Sequence, residues 1–449
     1  MRLTHLPILA SFGLILLIGA CQGTGPDYDA ELELQLDEVL MAASDGVGRT
    51  HFILPASDDL AAIPQDPNNP LTPEKVALGQ FLFHEPGINL NPKSNIGART
   101  ASCSSCHFAQ AGFQANRSQG IGEGGLGFGL AGEGRYIHPL YGPSTLDVQP
   151  IRTPSAMNLA WHECVLWNGQ FGATGINAGT EYAWTEDSPL EANYLGFQGL
   201  ESQALGGQEV HGMELDQETM EALGYGDLYR DAFPGMNDNQ RFHRIPTGLA
   251  IAAFERTLIS NQAPFQRWLQ GEVDAMTADQ KKGAILFFGK GECGTCHNGP
   301  TLANMEFHAL GMADLSGPGV FNANPVAKEN RGRGGFTSQP DDQYCFKVPQ
   351  LYNLKDSPFY GHGSSFRSIE DVIRYKNQAE KENANVDDIY MSEHFTPLGL
   401  SETEIRFIAE FIERGLYDAD LMRYAPAALP SGLCFPNNDP ISRSEGGCD

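Results

Sequence analysis

Two pentapeptides of one spacing, Cys103-Ser-Ser-Cys106-His107 and Cys293-Gly-Thr-Cys296-His297, carry the chemistry that can be read from this chain of 449 residues. Thiols three residues apart lie on one side of a turn. They can form thioethers with the two vinyl groups of a porphyrin while the adjacent imidazole reaches its iron. A four-cysteine zinc site or a dithiol redox pair needs no His directly after the second Cys, still less twice. The spacing therefore predicts two covalently bound c-type haems, held by Cys103, Cys106, Cys293 and Cys296, with His107 and His297 as proximal ligands.

The elements that must position these turns repeat. Thr72-Pro73-Glu74 reads as a helix start, with Thr as N-cap and Pro at the first helical position, followed by Val76, Leu78, Phe81 and Leu82. Before the second pentapeptide, Thr277 and Gln280 form a capping-box pattern, so that Gly79-Gln-Phe-Leu-Phe83 and Gly283-Ala-Ile-Leu-Phe287 read as counterparts. Ile251, Phe254 and Leu258 mark an amphipathic helix over 247–260, and Ser401 with Glu404 caps another that carries Ile405, Ile408 and Ile412 and stops at Gly415. The Gly-rich stretch 120–135 and the segment 173–198 have no period and read as loops. The expectation is a mainly α fold of two cytochrome c-like haem domains in tandem with long loops. Its divisions are a signal over 1–20, a tether over 21–70, domains over 71–235 and 236–420, and a C-terminal tail over 421–449.

Arg2 and the apolar run Leu6 to Ala20 read as an export signal too short to span a bilayer. Leu17-Ile-Gly-Ala-Cys21 resembles a lipoprotein signal, which implies acylation of Cys21 and a lipid anchor on the periplasmic side, in the outer membrane. An ordinary cleavable signal with an incidental Cys is the alternative. Of nine cysteines, Cys164, Cys345, Cys434 and Cys448 remain, and the nearby pair Cys434 and Cys448 is the better candidate for a disulfide. A net charge of −27 argues against nucleic acid as a partner.

Together these pieces resemble the bacterial di-haem cytochrome c peroxidases, the group that also holds the MauG-type enzymes. The likeness covers roughly residues 71–416 and rests on Leu78-Gly-Gln-Phe-Leu-Phe-His84, Arg152-Thr-Pro-Ser-Ala-Met-Asn158, Leu166-Trp-Asn-Gly169, Leu200-Glu-Ser-Gln-Ala204, Ala252-Ala-Phe-Glu-Arg-Thr-Leu258 and Phe346-Lys-Val-Pro-Gln-Leu-Tyr-Asn353, in the family's order around the two haem motifs. The resemblance implies an enzyme that reduces hydrogen peroxide to water with electrons from a small redox protein, a cytochrome c or a cupredoxin. It implies that the haem at His107 is peroxidatic, that the haem at His297 receives electrons, that Trp167 lies between them and that Gln203 lines the distal pocket. A MauG-type oxidase acting on a partner protein and a non-catalytic di-haem electron carrier are the competing functions.

Departures from the family pattern sharpen the expectations. The family's catalytic Glu lies ten residues beyond the Gln, where this chain has Met213, so Glu214 is the first candidate for the acid/base, with Glu209 and His211 as rivals and a solvated surface carboxylate as the bland reading. Glu123 stands where reductively activated relatives place a blocking His, which predicts a resting iron that is five-coordinate or water-bound, unless His138 reaches back. At the other iron Lys376 takes the place of the family's Met or Tyr ligand, and Tyr375 points elsewhere on its helix. Arg152 replaces the family's Asn ligand to calcium, which makes a calcium site doubtful because a guanidinium repels a cation.

Overall fold

The computed structural model describes residues 29–448, so the signal and Cys21 lie outside the described residues. The chain is mainly helical. Its strands, among the described residues, form two short antiparallel ribbons, Gly125–Leu126 with Tyr136–Ile137 and Phe307–His308 with Phe346–Lys347. No described helix is long and apolar enough to cross a membrane.

Local sequence chemistry sets the helix starts. Thr72 accepts from Lys75 N ahead of helix Pro73–His84, and reciprocal capping boxes close the starts of helix Ala278–Phe288 (Thr277 with Gln280) and helix Glu402–Glu410 (Ser401 with Glu404). Each of the first two helices then crosses a partner at a glycine. A Cβ on Gly79 would overlap the carbonyl oxygen of Ala250 in helix Arg244–Arg256, and a Cβ on Gly283 would overlap that of Phe407 in helix Glu402–Glu410. Four residues on from each glycine, Phe83 meets Phe254 at 5.4 Å between ring centroids and Phe287 meets Phe411 at 5.5 Å. The same crossing is thus built twice, and each copy precedes one pentapeptide.

Two hydrophobic cores follow. The first holds Leu78, Leu82, Phe83, Leu200, Ile251, Phe254 and Leu258, and the second holds Phe265, Trp268, Phe287, Ile405, Ile408 and Phe411. The expected division at residue 235 is therefore displaced. Helix Arg244–Arg256 begins three residues before the expected 247 and ends before 260, and it completes the first core rather than opening the second. Its apolar period was legible; its partner was fixed only by the close approach at Gly79.

The chain ends also depart from expectation. Residues 29–70 are not a free tether. Helix Ala30–Ala43 buries Leu36 and Leu40 in the second core, together with Phe52, Leu54 and Ile63. Glu33 pairs with buried Lys281 at 2.7 Å and accepts from Trp268 Nε1, while Asn298, next to His297, donates to Ala43 O. At the other end, Leu421 and Tyr424 enter the first core, and Pro436 O accepts from the hydroxyls of Ser102, Ser104 and Ser105 around the first pentapeptide. Cys434 and Cys448 form a disulfide, whereas Cys164 and Cys345 are free. Each terminus thus braces the haem motif farther from it in sequence.

Gly79→Ala and Gly283→Ala should each force a helix pair apart and lower stability by about 3 kcal/mol, near the upper end of the cost of overpacking. Denaturant unfolding monitored at each haem's absorption checks this, and wild-type stability in both variants would contradict the crossing.

Candidate functional site

Both pentapeptides begin in a single 3-10 turn, Cys103–Ser105 and Cys293–Thr295, which brings the two cysteines of each onto one side. His107 Nδ1 lies 2.9 Å from Phe113 O and His297 Nδ1 lies 2.9 Å from Leu302 O. A carbonyl only accepts, so Nδ1 carries the ring proton and Nε2 is left as the free donor atom for a metal. Burial drives both imidazoles down to about 4, with the carbonyl bond partly opposing, so both rings are neutral, the form that ligates iron. Phe83 and Phe287 each hold the ring of their own His at 6.3 Å. The four thiols are free and line the cavities. The residues present fit two c-type haems.

Two cavities open over these turns. One, of about 500 Å³, is lined by Cys103, Cys106 and His107 with Gln203, His211 and Asp147. The other, of about 330 Å³, is lined by Cys293, Cys296 and His297 with His308, Met312 and Lys376. Their shared wall contains Trp167, Arg152, Gln203 and Glu255. Trp167 Nε1 donates to Arg152 O at 2.8 Å, and the Arg152 guanidinium is fixed by Gln114 Oε1, Ser357 Oγ and Arg117 O. Burial pulls that guanidinium down to about 9. A fixed cation thus occupies the position in question for calcium, which disfavours a metal ion beside it.

The structure brings Trp167, Gln203 and Lys376 to the cavities but not Glu214. Asn89 and Met213 form a bridge, and successive residues of extended chain point to opposite sides; Met213 lines the cavity and Glu214 is exposed. Glu209 is also exposed, 3.4 Å from Arg244. His211 is the rival that reaches the cavity, with Nδ1 2.7 Å from Asp147 Oδ2. Buried Glu123 accepts from Lys93 N, Ser94 N and Tyr141 OH and organises its own loop. His138 accepts from Leu140 N just past the ribbon and lines neither cavity. Lys376 Nζ is 3.3 Å from His394 O, while Tyr375 turns away to donate to Leu310 O.

Three groups escaped the sequence reading. Asp147 lies in irregular chain beyond the Gly-rich stretch, 64 residues from the His it touches. Glu255 sits inside the quoted Phe-Glu-Arg-Thr string, and the signal was there: a carboxylate on an otherwise apolar helix face. Lys347, from the Phe-Lys-Val-Pro string, is buried with Nζ 2.9 Å from His162 Nδ1, and burial lowers it to about 8.

Residues 73–274 match the family model described as di-haem cytochrome c peroxidase. The chain is 29% identical over 412 residues to methylamine utilization protein MauG of Methylorubrum extorquens, covering 91% of this chain and 94% of that protein. It is 28% identical over 347 residues to cytochrome c peroxidase Ccp of Escherichia coli, covering 74% of this chain and 62% of that one. Among solved structures, a MauG-like protein associated with microbial copper homeostasis shares the fold with a TM-score of 0.58 at 24% identity, over 82% of this chain and 96% of that chain. With both haem-attachment turns in place, residues 73–274 are similar to the di-haem cytochrome c peroxidase family, and relatives named MauG and cytochrome c peroxidase extend the likeness over most of the chain.

Proposed function

We propose that this chain is an exported di-haem c-type peroxidase, reducing hydrogen peroxide to water with electrons from a small redox protein such as a monohaem cytochrome or a cupredoxin. The observation that carries the reading is the pair of cavities, each over a Cys-x-x-Cys-His turn, separated by one wall that contains Trp167. Relatives named cytochrome c peroxidase support the activity. The two cores support two cytochrome c-like units in tandem, divided near residue 258. Export is supported by the Cys434–Cys448 disulfide, which belongs to an oxidising compartment, and the acylated Cys21 would tether the chain to a membrane.

When bound, haem supplies iron that exchanges electrons with peroxide and donor. His107 and His297 would hold the two irons through Nε2. Gln203 offers an amide to hydrogen-bond peroxide over the first turn. Neither Glu123 nor His138 lines that cavity, which supports an iron at His107 open to the oxidant. Trp167, anchored by its indole N–H, places a π-system between the two centres and shortens the tunnelling gap. Lys376 is the residue we assign to join His297 in holding the second haem, since it lines the cavity over that turn. Likeness to MauG across 91% of the chain favours oxidation of a partner protein as the second reading.

Glu255 gives the wall a neutral acid. Burial first, then Glu201, pushes its carboxyl up to about 8 against the partial opposition of Arg256, and its Oε2 has no hydrogen-bond partner. Between the ordinary value of 4.5 and about 8, the folded chain holds a proton that the unfolded chain has lost. This group therefore makes stability fall as pH rises through that window.

Three outcomes are expected. Purified holoprotein should turn over peroxide with a reduced small redox protein, and its resting EPR spectrum should show one high-spin and one low-spin ferric haem; low-spin signals alone, with no turnover, would favour the electron carrier, and peroxide-driven modification of a partner without donor turnover would favour the oxidase. Lys376→Met should shift the low-spin signal only, and an unshifted signal would assign the role instead to Met312, His308 or His394, which line the same cavity. Glu255→Gln should flatten the pH dependence of melting, gaining on the wild type between about pH 5 and pH 8 by on the order of 3 kcal/mol; parallel curves would mean that the carboxylate is ionised in the fold.

A further inference from the structure

The cavity over His107 contains one ionisable pair that the family pattern does not supply. His211 follows the end of helix Gly199–Val210, where the backbone is held by Asn89 Nδ2 donating to His211 O at 3.0 Å. Its Nδ1 is 2.7 Å from Asp147 Oδ2, and both residues line the cavity. Asp147 is 4% exposed and fixed through its backbone, donating to Glu123 O and accepting from Gly122 N. Its Oδ1 has no hydrogen-bond partner, and Lys93 Nζ lies 3.9 Å away. This leaves His211 Nε2 as the ring atom free to meet a ligand, while Glu214 faces solvent.

We propose that His211 is the acid/base of the peroxide site and that Asp147 is its positioning residue. The assignment rests on the peroxidase reading and deepens it. Hydrogen peroxide takes up two electrons from the donor protein and two protons from solvent to give two waters. Within that balance, neutral His211 accepts a proton from one peroxide oxygen and returns it to the other, which leaves as water with the electron pair of the broken O–O bond; His211 ends neutral as it began. Asp147 fixes the ring with Nε2 toward the cavity and stabilises the imidazolium formed in between, the part a carboxylate plays behind a catalytic His elsewhere.

The titratable and charged groups facing His211 are Asp147, Lys93 behind it, and Glu255 and the neutral His107 across the cavity. Burial lowers the imidazole, but the carboxylate of Asp147 outweighs it and holds the ring above its ordinary value of 6.5. Because only the neutral ring accepts a proton, the peroxide rate should climb with pH through a midpoint above that value and then level off. Glu255 lines the same cavity with its carboxyl raised to about 8, so Glu255→Gln, which should leave the midpoint in place, separates the two groups.

The test uses holoprotein with both haems, with His211→Gln, Asp147→Asn and Glu214→Gln, by stopped-flow reaction with peroxide and by fluoride titration of the ferric protein across pH. Fluoride bound at the open iron draws a hydrogen bond from a distal acid, so its affinity in the wild type should fall as pH passes the His211 midpoint. His211→Gln should lose about 10²- to 10⁴-fold in peroxide rate and the pH linkage of fluoride. Asp147→Asn should move both midpoints down, and Glu214→Gln should change neither. The proposal is overturned if His211→Gln keeps its rate within about threefold with the fluoride linkage intact, if Glu214→Gln loses as much as His211→Gln, or if His211→Gln converts a low-spin haem to high spin, which would make His211 an iron ligand. Fluoride linkage is readable whether or not peroxide is consumed, so this assignment and the peroxidase reading can fail separately.

Discussion

Each imidazole must present a single nitrogen to its iron, and one hydrogen bond per ring enforces it. The Nδ1 contacts to Phe113 O and Leu302 O fix tautomer and orientation together. The rest of the fold keeps those carbonyls, and the phenyl rings beside the imidazoles, in place. Helices meet closely enough to do so only where a glycine removes the Cβ, at Gly79 and at Gly283. A repeated glycine thus becomes a repeated helix crossing, then a repeated Phe-on-His contact, and finally two equivalent metal-binding turns.

Two equivalent turns do not by themselves make unlike sites; the surroundings differentiate them. Over the first turn a loop contributes Asp147, and over the second the helix Ile369–Gln378 contributes Lys376. Between them, Arg152 serves the wall through two atoms types at once. Its carbonyl anchors the indole of Trp167, and its guanidinium ties together the segments at 114–117 and 357. The crossed termini complete the frame, with buried ion pairs Lys281–Glu33 in the second lobe and Arg135–Asp439 at the tail. Such pairs contribute little net stability when formed and cost much when half removed, so they specify which segment docks where.

What the sequence revealed was chiefly local. The haem turns, the N-caps at Thr72, Thr277 and Ser401, and the turn of Tyr375 away from Lys376's face all depend on residues within a few positions of one another. What it concealed was long-range. Helix Arg244–Arg256 has the same apolar period whichever core it joins, and the acidic run Ala30–Ala43 becomes a core helix because Trp268 and Lys281 engage Glu33. Glu214 was one residue from correct spacing, but in extended chain one residue reverses the side chain's direction. His211 was visible as a rival, yet nothing near Asp147 in sequence marks it as that ring's partner.

The central claim is that two covalently held haems, one open to peroxide and one that is not, act as a single electron store through the wall at Trp167. Stopped-flow mixing of fully reduced holoprotein with one equivalent of peroxide tests it most directly, following the absorption of both haems in one trace. The account predicts that both are oxidised in step, at a rate proportional to peroxide, and that Trp167→Phe delays only the haem over His297. Oxidation of one haem while the other stays reduced in the wild type would contradict it.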